Sequence, residues 1–156
     1  MKFPFFCSPA EPCPAFPKRR AMYRPVIPIH MYSPDLKYKI QHYALLDTGA
    51  DYNLFHADFL NVLNGDYLEE GKREDMIGIE GHGVITYFHD VVIEIGPWRY
   101  KTPTGFTKSG MVTGPEMSGI LGQVGFFEHF KVTFDYDKRQ IDIKPKAEFK
   151  NLYEKK

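Results

Sequence analysis

Apolar and polar residues alternate along most of this chain with a period of two, the spacing of a strand with one buried face. Pro25-Val26-Ile27-Pro28-Ile29-His30-Met31-Tyr32 reads as a strand, and its prolines place it at a sheet edge. Ser33-Pro34-Asp35 is a turn. The run from Lys37 to Leu46 starts polar and ends apolar, as a strand entering a core does. Tyr52-Asn53-Leu54-Phe55 predicts another short strand. Val84 to Phe88 and Val91 to Ile95 are β-branched and aromatic, with His89-Asp90 as a hairpin turn between them and Gly96-Pro97 closing the pair. Phe130 to Tyr136 alternates cleanly and turns through Asp137-Lys138 into Gln140 to Ile143, a terminal hairpin. Only His56 to Leu63 carries helical spacing, through Phe59, Leu60 and Leu63, with a stop at Asn64-Gly65. Many short strands and one short helix predict an all-β barrel or sandwich.

Three segments differ in character. Residues 1–22 hold Pro4, Pro9, Pro12, Pro14 and Pro17, followed by Lys18-Arg19-Arg20. Proline at this density opposes helices and central strands, so the stretch reads as an extended, loosely ordered arm. Residues 23–145 hold the strands and form the domain. Residues 146–156 are a charged tail, readable also as a short helix.

Composition narrows the function class. A chain of 156 residues suits one domain with a modest core. Its 43% hydrophobic residues, with 13 Phe and 10 Tyr, are too many for a disordered chain. Lys+Arg and Asp+Glu balance at 20 each, so charge does not point to nucleic acid as a partner. No apolar run approaches the roughly 20 residues of a membrane span. Pro4 interrupts a short N-terminal apolar stretch that lacks the length of a signal sequence. A cytoplasmic location is the default expectation. Cys7 and Cys13 form either a terminal disulfide or two free thiols, and with no neighbouring His pair they predict no zinc site. His30, His42, His56, His82, His89 and His129 stand singly, so neither a metal nor another cofactor is expected. No serine nucleophile elbow is present.

The sharpest local signal is Leu45-Leu46-Asp47-Thr48-Gly49-Ala50-Asp51. It places a carboxylate at the end of a buried strand, where the backbone turns and the acid needs hydrogen bonds. Taken alone, Asp47 can also be read as a turn acid bonded to nearby amides. Two further motifs follow in order. Met76-Ile77-Gly78-Ile79-Glu80-Gly81-His82-Gly83 is a glycine-rich hairpin signal, and Gly119-Ile120-Leu121-Gly122 is a late apolar pair between glycines. Together, over residues 25 to 145, the three motifs resemble the retropepsins, the single-domain aspartic proteases of the retroviral type.

The resemblance implies a closed barrel of the acid-protease type, with a flap hairpin and one short helix. It implies an aspartic endopeptidase with Asp47, Thr48 and Gly49 in the catalytic loop. Ala50, Asp51, Gly78, Ile79, Gly81, Val84 and Ile120 would then meet an extended peptide or protein substrate, with apolar pockets around the cleaved bond. Only one Asp-Thr-Gly is present, so the second catalytic carboxylate has to come from a homodimer partner. In retroviral members an acid at the Asp51 position pairs with an Arg just after the late glycine motif. Here Gln123 stands there, which puts that brace in doubt and leaves Asp51 available to substrate. Chain termini form an interface sheet in the family. If Gln140 to Ile143 does so here, truncation after Tyr136 abolishes dimerisation. Two other readings fit the same motifs: a non-catalytic peptide-binding or dimerisation module, and a protease limited to processing its own Pro-rich arm.

Overall fold

The computed structural model describes residues 1–64, 67–77, 83–110, 119–151 and 154–155. In chain order the elements are β1 (Lys2–Pro4), β2 (Phe6–Pro9), β3 (Ala21–Arg24), β4 (Val26–Tyr32), β5 (Lys39–Leu46), β6 (Leu54–His56), α1 (Asp58–Asn64), β7 (Lys72–Ile77), β8 (Gly83–Ile95), β9 (Trp98–Thr107), β10 (Gly119–Leu121), β11 (Phe130–Asp135), β12 (Gln140–Pro145) and β13 (Glu154–Lys155). Single 3-10 turns lie at Leu68–Glu70 and Glu148–Asn151. The fold is all-β with one short α-helix, and none of its described helices is long and apolar enough to cross a membrane.

Eight strands share one sheet in the order β13-β9-β6-β10-β5-β4-β8-β7, and β9 also pairs with β8. The pairings therefore run in a ring through β8, β4, β5, β10, β6 and β9. Two pairings are parallel, β10 with β5 and β6 with β9. The first of these matters most for the site, because it brings two loops out at the same end of the sheet. Ile27, Ile29, Leu46, Phe55, Ile93, Phe106 and Leu121 face the core, closed on one side by Leu60 and Leu63 of α1. β11, β12 and β1 make a second sheet with β12 in the middle, and β2 and β3 make a two-stranded ribbon.

Several local expectations change once partners are in place. β4 is an interior strand, paired with β5 along its length and with β8 at His30, Met31 and Tyr32. Leu46 N–H donates to Pro25 O at 2.9 Å. By alternation, odd-numbered residues of β4 face β5 and Pro28 faces the other edge, at a position β8 does not reach. A proline is tolerated inside the sheet for that reason. β8 runs unbroken through His89-Asp90, which pair with Thr104 and Pro103 of β9 rather than turning. His89 Nε2 bonds Leu68 O at 2.8 Å, and Asp90 meets Lys101 at 2.9 Å. No strand is predicted over β9. Its buried face alternates Trp98, Tyr100, Thr102, Thr104 and Phe106, and Pro103 and Gly105 hide that period.

The first five residues are built into the fold. β1 pairs with β12, and Phe5 is buried in the core. The tail packs as well: Phe149 is buried and stacks on His129 with ring centroids 4.2 Å apart. Cys7 and Cys13 are both free thiols.

Candidate active site

Burial rises along β5 from exposed Lys39 to buried Leu46, so Asp47 emerges directly from the core. Leu45 and Leu46 pair in parallel with Ile120 and Leu121 of β10. Asp47 N–H continues that ladder by donating to Leu121 O at 3.1 Å. The chain then turns, with Ala50 N–H donating to Asp47 O at 3.2 Å. Gly49 N–H donates to Asp47 Oδ1 at 2.8 Å. A carboxylate held by a main-chain amide keeps one orientation. Asp47 is half-buried, while Thr48 and Gly49 are exposed beside it. A Cβ at position 49 would lie 3.2 Å from Asp47 Oδ1, so glycine keeps that flank of the acid open.

The parallel pairing delivers the second loop to the same place. Gln123 N–H donates to Ala50 O and Val124 N–H to Asp51 O, both at 2.8 Å, and Tyr52 bridges Val124. A side chain at Gly122 would start 2.4 Å from Tyr52 O and 2.7 Å from Ala50 O, so only glycine lets the loops approach this closely. Gly122 N–H donates to Asn53 Oδ1 at 3.0 Å. Asn53 is fully buried, and its own carbonyl accepts Gly105 N–H at 2.9 Å. One amide side chain thus ties the acid-bearing loop to β10, while its main chain ties it to β9. Sequence reasoning passes over Asn53. The available signal is an amide residue directly ahead of Leu54-Phe55 in an apolar strand, since a buried amide has to find partners.

Asp51 and Gln123 do not pair. Gln123 Nε2 donates to Thr48 O at 2.6 Å, bracing the Asp47 loop through a neutral bond to its main chain. The Asp51 carboxylate is exposed, with no hydrogen-bond or ionic partner among the described residues.

The structure brings Asp47, Thr48, Gly49, Ala50, Asp51 and Ile120 into one neighbourhood. Ala50 and Ile120 are half-buried, and Ile120 points away from the side that buries Leu121. Val84 stands on the separate β7–β8 hairpin, opposite Met76, and is half-buried. That hairpin pairs Ile77 with Gly83. Gly78, Ile79 and Gly81 lie outside the described residues. One chain thus presents one amide-held carboxylate in an open loop. Such a group can act as a base toward water, but a shared-proton pair needs a second one.

No protein-family model and no curated protein matches the sequence. Among solved structures the chain is similar to one described as EIAV protease complexed with the inhibitor HBY-793. The two are 23% identical, the match covers 64% of this chain and 82% of that chain, and the TM-score is 0.44.

Proposed function

We propose that this chain is an aspartic endopeptidase that works as a homodimer, each copy supplying one Asp47. The observation that supports this reading most is the Asp47 loop itself. Its carboxylate leaves a buried strand and is oriented by Gly49 N–H, and the main chain of its loop is bonded to Leu121, Gln123 and Val124. A turn acid with a purely structural role would need neither the open flank at Gly49 nor the second, glycine-backed loop.

In this mechanism the two Asp47 carboxyls share one proton, because two carboxylates about 3 Å apart resist joint ionisation. Their titrations belong to the pair. The ionised member takes a proton from water as the water attacks the scissile carbonyl carbon. The protonated member donates to the carbonyl oxygen, giving a tetrahedral gem-diol. As the gem-diol collapses and the C–N bond breaks, the carboxyl that took the water's proton gives it to the departing amine nitrogen. The other carboxylate takes back a hydroxyl proton, which restores the shared-proton pair. Gly49 N–H occupies Oδ1 and leaves Oδ2 to the water. The substrate lies extended between this floor and the β7–β8 hairpin, with Ala50, Val84 and Ile120 around it. Asp51 is available to an amide or a cation of the substrate.

Asp47→Asn tests the reading. The variant is expected to fold and dimerise as the wild type does while cleavage of a peptide library falls by about 10²–10⁴-fold or more. Cleavage at the wild-type rate would remove the mechanism.

A further inference from the structure

The proposed dyad needs a second chain, and the β1-β12-β11 sheet has two outer edges that a second chain can extend. β12 is central, and both its edges are bonded within the same chain. Gln140 to Ile143, expected in an interface sheet, have both edges bonded within the chain, so a second copy that extends this sheet meets β1 or β11.

The two outer edges are not alike. On β1, Met1 and Ile143 exchange both main-chain bonds, at 2.7 and 2.8 Å, and Phe5 N–H reaches Arg139 O at 2.8 Å. Odd-numbered residues therefore face β12, and Lys2 and Pro4 face outward. An edge carrying a lysine and a proline, which has no N–H, resists further pairing. Across the sheet the alternation continues. Lys131, Thr133 and Asp135 pair with Lys144, Asp142 and Gln140 and take the bonds to β12. Val132 and Phe134 thus turn their N–H and C=O groups outward. Neither is a proline or a charge, and no strand covers this edge among the described residues.

This edge is also self-complementary. Laid antiparallel against itself about Thr133, it sets Val132 opposite Phe134 of the second copy, each pair exchanging both main-chain bonds. Lys131 then stands opposite Asp135 on the polar face, a favourable cross-strand pair. Phe134 is 40% exposed and Tyr136 59%, so the other face offers ring surface still to be covered.

We propose that a second copy of this chain docks edge-to-edge on β11 about Thr133, doubling the three-stranded sheet. The two-fold assembly it serves rests on the Asp47 reading above.

Sedimentation equilibrium of the full chain reads the dimer dissociation constant. K131E sets like charges opposite each other at both ends of the joined edge, and so does D135K. Each alone is expected to raise the constant roughly tenfold or more. A 1:1 mixture of the two variants restores opposite charges at every pair and is expected to recover the wild-type association. V132P removes an N–H that no in-chain bond uses, so it weakens the dimer while the circular dichroism of the monomer is unchanged. Unaltered constants for K131E and V132P, or no recovery on mixing, overturn the interface. D47N separates the two questions. If it dimerises normally and still cleaves peptide, the dyad falls and the interface stands. If the wild type dimerises and cleaves while K131E and V132P associate equally well, the interface falls and the dyad stands.

Discussion

Asp47 sits where a core strand ends, and its surroundings show how a chain keeps a carboxylate there without stranding it. The acid accepts one amide and leaves the rest of its lone pairs to the open side. The support comes from two unlike residues. Gly122 contributes by having no side chain, since any Cβ would meet main-chain oxygens. Asn53 contributes a buried acceptor to Gly122 N–H. Asn53→Leu is therefore expected to leave Gly122 N–H unsatisfied, at a cost of about 1–3 kcal/mol in urea unfolding. In the proposed enzyme it also lowers kcat for peptide cleavage with little change in KM, because the loop that carries the acid loosens. Asn53→Asp keeps an acceptor at that position and is expected to retain more of the activity than Asn53→Leu.

At the scale of elements, a charged cluster joins three strands. Glu94 of β8 is 3% exposed yet ionisable. It receives Arg99 Nη2 of β9 at 2.7 Å, Tyr32 OH of β4 at 3.1 Å, and lies 3.0 Å from His30 Nδ1 of β4. Arg99 also stacks over the Tyr32 ring, 4.8 Å from its centroid. Arg99→Met keeps the stem and removes the charge, leaving a buried carboxylate without its guanidinium, so a loss of about 3–5 kcal/mol is expected in chemical unfolding. His42 on β5 works in the opposite sense. Its ring lies against Phe59 of α1, with centroids 4.8 Å apart, and burial lowers its pKa below the ordinary 6.5. The unfolded chain therefore binds a proton that the folded chain refuses, and stability is full above about pH 6.5 and declines as pH falls below it. Thermal melts from pH 7 to pH 5 are expected to show a falling Tm, and His42→Phe is expected to flatten some of that fall.

At the scale of the whole molecule, both ends of the chain are structural. Deleting residues 1–5 removes β1 and the buried Phe5 ring, and a stability loss of about 3 kcal/mol or more is expected from the ring alone. Circular dichroism melts check it. Truncation after Tyr136 reaches beyond the proposed contact between copies. It removes Ile141 and Ile143, both fully buried, so the monomer itself is expected to unfold. For this reason the interface is tested on β11 by point substitutions and not by shortening the chain.

What could be read along the chain was whatever depends on a residue and its immediate neighbours. The period-two alternation, the helix near His56 to Leu63, the turn at Asp137-Lys138 and the acid following Leu45-Leu46 all rest on side-chain direction and local backbone conformation. That Gly119 to Leu121 lies beside Asp47 came from the parallel pairing of β10 with β5. The rest depended on partners far away in sequence. Asn53 meets Gly122 across 69 positions, and Gln123 meets Thr48, not Asp51, across 75. β4 became an interior strand because β8 reaches His30 to Tyr32 and stops short of Pro28. β8 stayed unbroken at His89-Asp90 because β9 pairs straight across it. A local pattern records which face of a strand is apolar. Only tertiary packing decides which strand lies on each edge, and hence which polar groups are satisfied and which are left open to a second chain.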